Sequence, residues 1–215
     1  MNEPAGGADG PVALDLVPVA LVAPRVRAVA TGAVVVAVVV GALIALLTTP
    51  VAGLVTGLVI AVPVVTVSVL GLRRGITLDR TTLTAVAGLR SRSVDVTHAQ
   101  SVDLVVRSLR MAEVAVRVTD DRTTVTVPLA LYVGSDGGRE LEILPLRRLA
   151  DALARAEDVS AAAVSAVLVD QLRAEARGAG LGERPLYRAV ELARSGHPRV
   201  AVLSDSEVAS LLSDN

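Results

Sequence analysis

The feature that most constrains this chain is a run of 45 residues, Ala28 to Leu72, without a charge, a carboxamide or a histidine. As one helix it would be about 68 Å long. That is roughly twice the hydrocarbon thickness of a bilayer, which about 20 residues cross. Thr48, Thr49 and Pro50 interrupt the run near its middle, and such a cluster marks a turn. The expectation is a hairpin of two transmembrane helices, Ala28–Leu47 and Val51–Leu72. A helix buried in a water-soluble core seldom carries more than about 18 apolar residues in succession.

Arg25 and Arg27 precede the hairpin, Arg73, Arg74 and Arg80 follow it, and the turn carries no charge. Positive charge stays on the inner side, so the expected location is the plasma membrane, multi-pass, with both termini cytoplasmic. Ala33, Ala37, Gly41 and Ala45 recur at four-residue spacing on the first helix, as do Gly53, Gly57 and Ala61 on the second. Small residues so placed let helices approach closely in lipid, although Ala and Gly are common enough here to produce the pattern by chance. Pro63 is expected to kink the second helix. Neither span holds an Asp, Glu, Arg or His, the groups that line a transport path, so transport by this chain alone is not expected. The opening MNEPAGGADG places Glu3 and Asp9 where a signal peptide carries basic residues. Val12 to Val22 is apolar but broken by Asp15 and Pro18; an interfacial segment and an edge strand both fit it.

Composition narrows the chemistry. All 21 basic residues are Arg, so no phosphate-loop lysine and no Schiff base is available. There is no Cys, hence no disulfide, thiolate nucleophile or thiolate zinc site. Tyr132 and Tyr187 are the only aromatic residues. A net charge of −1 gives no push toward nucleic acid.

After Gly75 the apolar pattern alternates, the signature of strands with one buried face. Ile76 and Leu78 open it, Thr82 to Leu89 follow, and a third strand ends at Val94 and Val96. Thr97 and Gln100 suit a capping box. Val102, Leu104 and Val106 define a fourth strand. Val114, Val116 and Val118 pair across an Asp120-Asp121 turn with Val125, Val127, Leu129 and Leu131. Ser135 to Gly138 suit another turn, and Leu141 and Ile143 define a seventh strand. Leu146, Leu149, Ala150 and Leu153 then recur at helical spacing. Beyond Asp158, Val164, Leu168, Leu172 and Ala176 form one helical stripe, and Leu186, Ala189, Val190 and Ala193 another. Val200 to Leu203 suit a short strand, and Ser204 with Glu207 a capping box. These stripes bury little alone, so they dock on the strands or on a partner.

A two-helix hairpin followed by GITLDRTTLTAVAGLRSRSVDVTHAQSVDLVV, a β-hairpin and a helix resembles actinobacterial membrane proteins with a bacterial pleckstrin-homology-like (PH-like) domain. The likeness covers residues 26–157 and rests on the exposed first turn, GLRSRSV, the polar connection and SVDLVV. It implies a membrane α-helical hairpin plus an α+β domain, a seven-strand bent sheet capped by a C-terminal helix, then a helical extension. The expected organisation is a tail at 1–25, the hairpin at 26–74, the PH-like domain at 75–157 and the extension at 158–215. The resemblance implies recognition or assembly and not catalysis.

Among candidate site residues, Arg80, Arg90 and Arg92 near the first turn are candidate headgroup contacts, since Arg binds phosphate in bidentate fashion; solvated arginines on exposed strands are the plainer reading. His98 and His197 stand alone without metal-ligand spacing. Gly178, Gly180 and Gly182 lack the preceding strand that a dinucleotide fingerprint needs and read as a linker. No nucleophile–base pair, metal set or cofactor is expected. The functional expectation is a membrane-anchored, non-enzymatic interaction or scaffolding module with the bilayer and an unknown protein as partners. The alternatives are an anionic-lipid-sensing module and an accessory subunit of a transporter or envelope complex. Nucleic acid is not an expected partner.

Overall fold

Helix α1, Val19–Leu47, and helix α2, Pro50–Leu72, form an antiparallel pair. The computed structural model describes residues 10–16, 19–72, 74–108, 110–134, 137–195 and 200–213. The chain divides into two units: Val17–Gly75 with Val86–Ser91, and Met1–Leu16 with Ile76–Ala85 and Arg92–Asn215.

In the first unit, α1 begins earlier than Ala28 and takes Pro24, Arg25 and Arg27 into the helix; the flanking arginines extend the helix instead of ending it. Ala23–Leu47 and Pro50–Gly71 are long and apolar enough to cross a membrane, and only 11% and 6% of their windows are buried. The turn falls at Thr48-Thr49. Thr49 Oγ1 accepts from Ala52 N at 3.3 Å, capping a helix whose first position is Pro50, where a missing N–H costs nothing. Helix α2 continues through Pro63.

The four-residue small-residue pattern is the seam between the helices. A Cβ on Gly41 would stand 2.8 Å from the Gly53 carbonyl oxygen, and one on Gly53 would strike Gly41 O and Ala45. Ala37, Gly41 and Gly53 are buried, while Val38, Leu46 and Leu54 point outward.

The second unit holds most of two antiparallel sheets. The first has the order β1 (Val12–Ala13), β2 (Arg74–Asp79), β3 (Thr82–Ala87), β4 (Arg90–Asp95). After a 3₁₀ turn at Val96–His98 come β5 (Ser101–Ser108), β6 (Met111–Thr119), β7 (Thr124–Val133) and β8 (Gly137–Glu140). Helices α3 (Ile143–Leu153), α4 (Val159–Ala176) and α5 (Pro185–Ser195) follow, then β9 (Val200–Val202) and α6 (Asp205–Ser213). The second sheet runs β8-β7-β6-β5-β9.

Nine strands among the described residues replace the expected seven. The additions are β1, which pairs Val12 with Leu78 and Ala13 with Thr77, and β9, which pairs with β5. Asp15, which breaks the apolar N-terminal segment, accepts from Ile76 N at 3.0 Å, so this segment is an edge strand.

The seventh expected strand ends at Glu140. Leu141 makes one further bond, its N–H donating to Leu129 O at 2.7 Å. Ile143 instead begins α3 and is 57% exposed. Pro145 favours this start, because it lies in the first helical turn, where its missing N–H is no loss.

The β6–β7 hairpin forms as its alternation predicts as far as Leu129. There β7 carries one extra residue: Val114 pairs with Ala130 but Ala115 with Pro128. The bulge reverses the phase, so Tyr132 is fully buried and Leu131 is not. It also accommodates Pro128, which has no N–H for the ladder.

Thr97 and Gln100 do not form a capping box. Asp95 Oδ1 takes that role, accepting from Thr97 N at 3.0 Å, and Gln100 turns to Asp121. Ser204 and Glu207 do form one: Glu207 Oε2 accepts from Ser204 N at 2.8 Å and Ser204 Oγ from Glu207 N at 3.4 Å.

Helices α4 to α6 share one apolar core with both sheets, through Val164, Leu168, Leu186, Val190, Val208 and Leu211 among others. On α4 the buried line departs from the expected stripe: Ala176 is exposed, and Gln171 and Ala174 are buried instead.

Candidate functional site

Arg80 occupies the turn that opens β3 and carries a positive φ of 54°, a region that strains any residue with a Cβ. Arg90 follows the turn that closes β3, and Arg92 lies two residues further along β4. Two residues apart on a strand, Arg90 and Arg92 point to one side, and all three arginines are exposed. Arg80 therefore sits at the other end of β3 from the Arg90 turn.

His98 is exposed, and its neighbours converge on a single nitrogen. Thr97 Oγ1 lies 3.1 Å and Asp95 Oδ2 3.7 Å from His98 Nδ1. A nucleophilic relay needs the nucleophile and the orienting carboxylate on opposite ring nitrogens of the histidine base, so this is a local turn network. Partial burial works to raise the Asp95 carboxyl, but bonds from Thr97 and Thr81 and the charge of His98 outweigh it and hold the group below its ordinary range. His197 lies outside the described residues. Among the described residues no group of three or more His, Cys, Asp or Glu is placed to hold a metal.

Gly178 adopts φ 67° just past α4. Gly178 N donates to Glu175 O and Ala179 N to Ala174 O, both at 2.9 Å, the pairing of a Schellman cap. The glycine-rich segment thus ends a helix and leads to a 3₁₀ turn at Leu181–Glu183. The Asp120-Asp121 turn is likewise used internally, with Asp120 N donating to Thr123 O at 2.9 Å.

A partly buried ionic centre among the described residues was not anticipated. Glu140, the last residue of β8, receives Tyr132 Oη at 2.6 Å, Gln171 Nε2 at 2.9 Å and Arg184 Nη1 at 2.6 Å. Gln171, fully buried on α4, accepts in turn from Leu186 N at 3.2 Å, and Arg184 Nε donates to Ala179 O at 3.2 Å. Tyr132 and Tyr187 meet edge to face with centroids 5.2 Å apart. Gly138 is required opposite, since a Cβ there would enter the Tyr132 ring. Burial first, and then the bond and charge of Glu140, push the Tyr132 phenol well above its ordinary value.

A cleft of about 330 Å³ opens beside this centre, lined by Gly138, Arg139, Glu142, Glu175 and Leu181 together with the ionic residues. The Glu140 carboxylate is committed to three donors and the phenol is held protonated. The arrangement therefore suits a fastener between β7, β8, α4 and α5 better than acid–base chemistry. The partners are 31 to 44 positions apart in the bonds from Gln171 and Arg184. In sequence, the only signal was a pair of tyrosines in a chain otherwise free of aromatics.

These features define an α+β protein with two apolar N-terminal helices and two antiparallel sheets. Protein-family models, curated proteins and solved structures contain no match to the chain.

Proposed function

We propose that this chain is a membrane-anchored, non-enzymatic interaction module. In this reading α1 and α2 cross the plasma membrane as a hairpin with both termini cytoplasmic, and a PH-like domain recruits or scaffolds a protein partner at the inner leaflet. The observation that carries it is the outward placement of large apolar residues on both helices, such as Leu46 at 85% and Leu54 at 66% exposure, with Ala37, Gly41 and Gly53 buried where the backbones meet. Water gives such a surface no reason to persist, and lipid does. Arg25 and Arg27 before the run, and Arg74 and Arg80 after it, favour the cytoplasmic orientation.

The PH-like reading draws support from the succession of strands β2 to β8 followed by α3, with β1 and β9 as additions to the two sheet edges. A non-catalytic role is favoured by the engagement of Glu140, Tyr132 and Arg184 with one another. Recognition then falls to the domain surface.

Two measurements test this. Full-length protein should sediment with membranes at high speed and enter the supernatant only with detergent; detergent-free solubility would reject the anchor. Crosslinking in intact cells followed by affinity purification should return one reproducible protein partner; a chain that stays solitary would reject the scaffold.

A further inference from the structure

Strands β3 and β4 are joined by Gly88-Leu89, a two-residue loop with Gly88 at φ 65°. A glycine with positive φ in the first central position is what a tight hairpin turn uses. The turn presents Leu89 at 84% exposure, with Val86 at 38% beside it and Arg90 exposed next to it. This tip, Val86–Ser91, belongs to the same unit as α1 and α2. The join is direct: a Cβ on Gly88 would stand 3.3 Å from Leu70 Cδ2, two residues before α2 ends.

An exposed leucine beside an arginine, fixed against the last turn of an apolar helix, has one fitting environment. We infer that the β3–β4 tip is a foot set into the lipid–water interface of the membrane that α2 crosses. Leu89 enters the boundary between headgroups and acyl chains, and Arg90 pairs with anionic lipid phosphate. The inference rests on the membrane reading above. Apolar side chains at that depth gain from leaving water, and each basic residue near an anionic leaflet adds attraction. Val159 on α4 is almost as exposed, at 80%, but lies in the other unit, so it serves as an internal control.

The absence of cysteine makes a clean test possible. Ala87→Cys, Val159→Cys and Leu54→Cys are each made in the full chain, labelled with an environment-sensitive fluorophore, and placed in nanodiscs of phosphatidylcholine with phosphatidylglycerol. The label at 87 should be quenched by nitroxide-bearing lipid and shielded from aqueous iodide, and the label at 159 the reverse. Equal iodide quenching at 87 and 159 would overturn the foot. In that case lipid quenching at 54 leaves the anchor standing, whereas a water-exposed label at 54 removes anchor and foot together. With the label at 87, Leu89→Asp should abolish the shielding, and its survival would overturn the role of Leu89. Arg90→Ala should weaken the interfacial state about fivefold on anionic discs only; no change there would overturn the pairing with phosphate.

Discussion

Helices α1 and α2 on one side and α4 on the other draw on the same valine, alanine and leucine, yet they are packed inside out. In the α1–α2 pair the fully buried residues are the smallest, Ala37, Gly41 and Gly53, while most of the branched ones, Val38 and Leu54 among them, face outward. In α4 the buried residues include the large Val164, Val167 and Leu168 beside Ala161 and Ala174, with Gln171 and Ser165 hydrogen-bonded inside. Water drives α4, because large apolar surface is hidden and each buried polar atom is given a partner. In the hairpin, contact distance between backbones decides, and bulk is sent away from the contact. Length and hydropathy already separate the two kinds of helix, since among the described helices only α1 and α2 are long and apolar enough to cross a membrane; the size of the residue at the closest contact separates them again.

That contrast can be broken in order of effect. Glu140→Ala removes the acceptor that fastens α4 and α5 to the sheet and leaves Arg184, Gln171 and Tyr132 with unmet donors. It should cost about 4 kcal/mol in denaturant unfolding. Leu168→Ala in α4 should cost about 3 kcal/mol, while Leu46→Ala on the outer face of α1 should stay within about 0.5 kcal/mol. Comparable losses at the two leucines would erase the inside-out distinction. Gly53→Val drives a branched side chain into Gly41 and Ala45 and should cost the hairpin about 2 kcal/mol, read as a lower midpoint in a mixed-detergent titration that spares the sheets.

A further effect is a pH dependence. The folded-state pKa of Tyr132 is raised, so the unfolded phenol ionises first, near pH 10. Its stabilisation is complete below that pH and is lost above it, by about 1.4 kcal/mol per pH unit. Tyr132→Phe should abolish this alkaline slope, and in Tyr187→Phe protein the phenolate absorbance should appear only as the chain unfolds.

What could be read from the residues was whatever repeats. The hairpin, its turn at Thr48-Thr49, the α5 stripe and most of the strands from Ile76 to Leu129 follow from a regular pattern of one kind or another, although Leu89, expected in phase on a strand, lies in an exposed turn and Val96, expected to end one, opens a 3₁₀ turn. Features that break a period were hidden. The β7 bulge inserts Leu129 and exchanges Leu131 for Tyr132, an event alternation cannot announce. Strand β1, with Val12 and Ala13 only, is too short to show a period at all. Ile143 alternates with Glu142 as a strand would, and only the position of Pro145 in a helical first turn hints otherwise. The Glu140 centre was illegible for a different reason. Its members come from four elements, and each alone looks like an ordinary surface or core residue. Arg80, Arg90 and Arg92 are close in sequence, but β3 comes between the turn that holds Arg80 and strand β4, which carries Arg90 and Arg92.

The edge strand β1 has a consequence for how the helical insertion can lie. Leu14 N donates to Ile76 O at 2.7 Å, so the chain leaves and re-enters the sheet at neighbouring backbone groups. A lone crossing by either helix would set those two atoms on opposite faces of a layer about 30 Å thick. The clasp at Leu14 and Ile76 thus makes the pair obligate: α1 and α2 traverse together or not at all, and β1 must wait through the synthesis of some 60 further residues, several seconds, before its partner exists.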